Sequence, residues 1–175
     1  MNEEILSPVH WYALYTKPRH EFRVNDQLLT NNFNTYLPVL KELRQWHDRK
    51  KRINSPLFPG YLFIRCQMDK INYYNILNIK GIVYVVGNKW PSLSKIPDNQ
   101  ISSMKLTLES KLPVNVISSL EKGDNIYIKS GILQGVVGTL VRKNNSRMCI
   151  VIMINTLNKG LQIEVDCRKC QIEKL

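Results

Sequence analysis

Acidic residues are scarce in this chain: 14 Asp and Glu stand against 25 Lys and Arg, for a formal net charge of +11. That imbalance points to a polyanionic partner. Histidine is scarcer still, at three (His10, His20 and His47), none with a companion at catalytic or metal-binding spacing. No run of 18 apolar residues occurs, so the sequence has no candidate membrane-spanning helix. The opening "MNEEILSPVH" carries two acids and no apolar stretch. No secretory leader is read there, and a cytoplasmic setting is expected. A phosphate-cradling glycine loop, a Ser-His-Asp arrangement and paired carboxylates in a pocket-like context are all missing. No enzyme activity and no cofactor are therefore expected.

Cysteine is limited to Cys66, Cys149, Cys167 and Cys170. "CRKC" is a C-x-x-C, but a closed zinc site needs four ligands, and no second pair or later histidine supplies them. The preceding "LQIEVD" reads as a strand, which would send Cys167 and Cys170 to opposite faces if it continued. Reduced, partly buried thiols and no metal are the expectation.

What is present is a folded composition, 43% hydrophobic and 22% charged, within the size range of one domain or two small ones. Both halves are basic, with a net of +6 over 1–109 and +5 over 110–175. The densest cluster is 41–52, with six basic and two acidic residues beside Trp46 and Tyr36. A solvated loop explains such a run, and so does contact with nucleic acid.

"HWYALYT" (10–16) predicts a strand, and Pro18 opens a helix running to Leu29. "TYLPVLKEL" (35–43) alternates as a strand and leads into the basic loop. "KINYYNILNI" (70–79) reads as a helix ended by Gly81, "IVYVV" (82–86) as a short buried strand, and Pro97-Asp98 as the start of another helix. That helix carries Ile101, Met104 and Leu108 on one face. Residues 10–109 thus give an α+β domain, a sheet with helices on one side. Residues 1–9 are a tail and 110–120 a linker. From 121 to 175, short Val/Ile strands punctuated by glycine predict a small antiparallel barrel.

One segment resists a simple reading: "SPLFPGYLFI" (55–64) carries Pro59-Gly60 within an apolar run. If a strand resumes after them, Tyr61, Phe63 and Arg65 share one face, and Leu62, Ile64 and Cys66 the other. Tyr15 and Trp11 fall on the aromatic side. Pro and Gly at the strand's start fit an edge or bulge, and outward aromatics would offer a groove for a partner's helix. The alternative is that these rings are core.

"WYALYTK" (11–17) followed by "LFPGYLFI" (57–64) resembles the N-terminal domain of NusG-type transcription elongation factors. "EKGDNIYIKSGILQGVVGTLV" (121–141) resembles their KOW motif, with Gly131, Gly135 and Gly138 at the expected turns. The likeness spans nearly the whole chain from residue 10. With "PVLKELRQWHDRKK" (38–51), these stretches are most similar to the specialised RfaH-like paralogues and the antiterminators of polysaccharide operons. Gly60 departs from RfaH, which has asparagine there, and agrees with NusG.

The resemblance implies an α+β N-terminal domain and an all-β, SH3-like KOW barrel. It implies that Tyr15, Tyr61 and Phe63 bind the clamp helices of the largest RNA polymerase subunit. Asn72, Tyr73, Tyr74 and Asn75 align with a second contact, to the other large subunit, although the hydroxyl-rich sequence of RfaH is absent. Lys17, Arg19, His20, Arg23 and Lys80 would meet the non-template DNA strand. Leu157 and Ile132 would serve a KOW-domain partner, a small-subunit ribosomal protein or the termination factor Rho. The implied function is a monomeric elongation and antitermination factor that bridges the DNA channel and suppresses pausing and termination for long polysaccharide operons. A general NusG acting with Rho, and a KOW-containing ribosome- or RNA-binding protein, are the alternatives.

Overall fold

The computed structural model describes residues 8–46, 49–118 and 123–175, and for 42–46 and 49–52 the backbone alone. Most of the expected N-terminal tail, and the expected boundary between residues 120 and 121, lie outside the described residues. The chain divides into two compact units, residues 1–95 and 96–175. Among the described residues no helix is long and apolar enough to cross a membrane.

The first unit is built on an antiparallel sheet in the order β2-β5-β1-β6, from β1 (His10–Thr16), β2 (Asn34–Tyr36), β5 (Tyr61–Cys66) and β6 (Ile82–Val85). The period-two pattern of β1 and β5 decides what each face does. Tyr12, Leu14, Leu62 and Ile64 form a buried cluster with Val24 and Leu28 of α1 (Glu21–Thr30) and Ile76 of α2 (Lys70–Leu77). Each such fully buried aliphatic stabilises the unit by roughly 1.5–3 kcal/mol. The other face carries Trp11, Ala13 and Tyr15 opposite Arg65, Phe63 and Tyr61. The helices therefore pack on one side, as expected.

Three local expectations are corrected. The strand read over 35–43 is broken at Leu37-Pro38 into β2 and β3 (Val39–Trp46). Pro38 has no N–H to give a ladder, while its carbonyl accepts the Leu57 amide at 2.8 Å. The basic loop is instead a two-stranded ribbon, β3 against β4 (Arg49–Pro56), with Arg44 opposite Lys51 and Trp46 opposite Arg49. A charged ribbon of this kind pairs its backbone groups without needing a core on either face. "IVYVV" is an edge strand, with Val83 and Tyr84 exposed, not a buried one.

The second unit is a six-stranded antiparallel sheet, order β12-β8-β9-β10-β11-β7. Its strands are β7 (Val114–Ile117), β8 (Asp124–Ile128), β9 (Val137–Lys143), β10 (Arg147–Ile154), β11 (Lys159–Asp166) and β12 (Ile172–Lys174). Ile126, Ile128, Ile150, Ile152 and Ile163 form its core. Part of the expected linker supplies β7, which pairs with β11. The helix read from Pro97-Asp98 is α3 (Asp98–Glu109), and it belongs to this unit rather than to the first. It packs on β9 and β10, with the buried Ser103 hydroxyl accepting the Val137 amide at 2.8 Å. Its inner face is Ile101, Met104 and Thr107, with Leu108 only half-buried. Gly131 and Gly135 have positive φ at the bend after β8, whereas Gly138 lies inside β9. Strand β11 stops at Asp166, so the condition for opposite faces is not met, and the turn that follows brings Cys167 and Cys170 to the same core. All four thiols are free.

Candidate functional site

Strands β5, β1 and β6 lie side by side, and their register sets Tyr15 opposite Tyr61 on one flank and opposite Tyr84 on the other. The rings follow the backbone. Tyr15 and Tyr61 stand 5.1 Å apart between centroids, and Tyr15 and Tyr84 stack at 5.0 Å. Close cross-strand aromatic pairs of this kind stabilise a sheet by roughly 0.2–1 kcal/mol each. Tyr15 and Tyr61 are half-buried and Tyr84 is 46% exposed, so the row presents ring surface to solvent. Burial, with the neighbouring Tyr84 and Tyr15 hydroxyls adding to it, raises the Tyr61 pKa, so this ring stays neutral at physiological pH.

Phe63 does not join that surface. It is fully buried (0% exposed), with Tyr36 of β2 stacked over it at 6.3 Å. The expectation of an outward Phe63 is corrected: a third strand supplies a ring that covers it. Tyr84, which takes the outward position, was missed because a short Val-rich segment reads as buried from its composition.

The Pro59-Gly60 question has a geometric answer. Gly60 has φ +84°, and a Cβ there would stand 2.9 Å from Cε2 of Tyr15. A side chain would be strained twice, by the left-handed backbone and by the ring beside it. The Gly60 amide donates to Oε1 of Glu21 at 2.7 Å, and its carbonyl accepts the Thr16 amide at 2.8 Å. The turn entering β5 is thus tied to β1 and to the first residue of α1. Beside it opens a pocket of about 650 Å³ lined by Tyr15, Pro18, Glu21, Phe22, Pro56 and Pro59, among others.

The basic residues gather at the start of α1. Lys17, Arg19, Arg23 and Lys80 are exposed and His20 is half-buried. The Lys17 amide donates to the Gly81 carbonyl at 2.8 Å, joining the β1 end to the turn before β6. Gly81 has φ +113° and passes so close to Val24 and His20 that a Cβ would meet Val24 Cγ2 at 2.8 Å. Two segments distant in sequence are thereby held together, with Lys17, His20 and Lys80 beside the junction.

The "NYYN" segment is split by its helix. Asn72 is used locally: its amide donates to the Asp69 cap at 2.7 Å, and its side chain donates to the Gln67 carbonyl at 2.9 Å. Tyr73 packs on Trp90, 4.9 Å away, at the edge of the core. Tyr74, 51% exposed, and Asn75 face outward. The structure therefore leaves Tyr74 and Asn75 as the accessible half of that segment. In the second unit, Leu157 lies in a single 3₁₀ turn and is only 9% exposed, whereas Ile132 is 62% exposed. Of that pair Ile132 is the accessible one.

Residues 9–105, more than half of the chain, match the family model for "Transcription termination factor nusG". The chain belongs to the NusG family. It is 24% identical over 187 residues to the transcription termination/antitermination protein NusG of Staphylococcus carnosus, covering all of both chains. It is 20% identical over 181 residues to the NusG of Halalkalibacterium halodurans, covering 95% of this chain and 98% of that one. Among solved structures, one of domain interaction in Thermotoga maritima NusG aligns over 96% of this chain and 98% of that chain, at 18% identity and a TM-score of 0.49. The NusG family comprises transcription termination and antitermination factors, not enzymes, and the tyrosine row lies within the matched region.

Proposed function

We propose that this NusG-family chain is an elongation and antitermination factor whose first unit holds the clamp helices of the largest RNA polymerase subunit against Tyr15, Tyr61 and Tyr84. One observation carries the reading: three rings on adjacent strands, in mutual contact and partly open to solvent. Clustered rings with exposed faces suit an amphipathic helix laid across a sheet. Phe63, on the same sheet face as Tyr61 but covered by Tyr36, supports the row from its side. The exposed cations Lys17, Arg19, Arg23 and Lys80, with His20 among them, suit the phosphates of a single non-template strand. Tyr74 and Asn75 are the groups of "NYYN" free to reach the other large subunit. Ile132 is the candidate contact for a KOW-domain partner such as a ribosomal protein or Rho.

Held at two sides of the channel, the polymerase would resist opening into the paused state, and transcription would continue past pauses and terminators. The likeness of 38–51 to the polysaccharide-operon group favours a role on particular long operons. Single-round transcription by the cognate polymerase, on a template with the protein's own operon leader and on one without it, tests this reading. Faster passage through pauses on the leader template alone is expected. Equal stimulation on both would make the protein a general factor. No effect on either would remove the elongation reading.

A further inference from the structure

The pocket beside Gly60 is lined mainly by apolar side chains, with the carboxylate of Glu21 and the guanidinium of Arg19 among them. Tyr15, Pro18, Phe22, Pro56 and Pro59 line it, and so does Glu21, which is only 5% exposed. Little of Glu21 meets water, yet its carboxylate is not among the buried polar atoms that lack a partner, so the charge keeps contact with solvent in the pocket it lines. Glu21 has one hydrogen bond among the described residues, from the Gly60 amide to Oε1, and no ion pair. Arg19 lines the same pocket but is exposed and makes no ion pair with Glu21. The second carboxylate oxygen is thus without a hydrogen-bonding or charged partner among the described residues.

We infer that this pocket takes the long basic side chain of an arginine or lysine projecting from the helix that lies on the tyrosine row. The inference rests on the reading above and names what the partner must carry. Its chemistry is twofold. An Arg or Lys stem is aliphatic and packs against prolines and ring faces, while its head needs a carboxylate or an aromatic face at the far end. A pocket of about 650 Å³ lined by Tyr15, Phe22 and Glu21 supplies both. A neutral apolar side chain would cut the Glu21 carboxylate off from water without compensating its charge, so the pocket discriminates against it. Tyr15 belongs to both the row and the pocket, so the two adjoin.

The test is affinity of the full chain for the cognate core RNA polymerase, for wild type, Y15A and E21Q. Glutamine keeps an oxygen for the Gly60 amide and removes only the charge, and thermal melting confirms that E21Q folds. E21Q is expected to weaken binding by about tenfold, as loss of a close charge pair does at an interface. Each Arg and Lys of the polymerase's clamp helices is then replaced by Ala, against wild type and against E21Q. One of them should cost about tenfold against wild type and nothing further against E21Q. If Y15A weakens binding while E21Q does not, the basic-side-chain inference is wrong and the helix-binding reading stands. If E21Q weakens binding but every basic replacement is additive with it, Glu21 acts only by holding its turn and the inference is wrong. If neither variant weakens binding, the helix-binding reading fails and this inference with it.

Discussion

Oε1 of Glu21 accepts the amide hydrogen of Gly60 at 2.7 Å, across 39 positions of sequence. The bond fixes the start of α1 to the turn that launches β5, and so sets where Tyr61 emerges beside Tyr15. Replacing Gly60 by alanine would put a Cβ 2.9 Å from the Tyr15 ring at a φ of +84°. G60A is expected to lose about 1–3 kcal/mol of stability, from the backbone strain and the displaced ring together. Urea unfolding measures it, and an unchanged midpoint would show that the turn tolerates a side chain.

Phe63 and Tyr84 should separate cleanly. Phe63 is fully buried, so F63A is expected to cost roughly 3–5 kcal/mol, the usual price of emptying an aromatic core site. Tyr84 is 46% exposed at a sheet edge, so Y84A is expected to cost about 1 kcal/mol or less. Paired denaturation curves decide the matter. Near-equal losses would mean that the outward row is as structural as the buried ring beside it.

Much of this contrast was legible in the sequence, and the exceptions have physical causes. Alternation in "WYALYT" and "YLFIRC" assigned both faces of β1 and β5, because the pleat leaves no other choice. It could not show that Tyr36 would cover Phe63, because that contact comes from a strand with its own, unrelated register. Tyr84 was hidden for a similar reason: four residues rich in Val and Ile look buried, and only the sheet order makes β6 an edge. Glu21 reads as an ordinary first-turn acid, a favourable place for a carboxylate on any helix. Its burial depends on a turn 39 positions away. The affiliation of α3 was equally invisible, because its apolar spacing fits either sheet.

Cys66 offers a test of burial in the first unit. Burial, and secondarily the Asp69 carboxylate, push its thiol up to about 12 from an ordinary 9.0. The native thiol therefore stays protonated at pH 8 and should react with a thiol reagent only when the chain unfolds. Because the folded pKa is the higher one, the associated stability is fully present below pH 9 and declines as pH rises toward 12. Mass spectrometry after pulse labelling locates the modified cysteine. Rapid labelling of Cys66 in the native protein would contradict its placement.

Asp166 titrates in the opposite sense. Hydrogen bonds from the Arg168 side chain and backbone lower its pKa to about 2 from an ordinary 3.8. A depressed folded pKa gives stability that is present above 3.8 and lost as pH falls toward 2. D166N should remove that part of the acid dependence, leaving a flatter stability profile in the same window. A profile identical to wild type would mean that the Asp166–Arg168 pair is equally formed in the unfolded chain.

In the proposed function the tyrosine row anchors the protein to RNA polymerase, and the cations at the start of α1 are secondary. Single-round transcription through a strong pause, comparing wild type, Y61A/Y84A and K17A at equal concentration, tests it most directly. Wild type is expected to shorten the pause, K17A to retain most of this effect, and Y61A/Y84A to lose nearly all of it while remaining folded. Pause escape by Y61A/Y84A equal to that of wild type would contradict it.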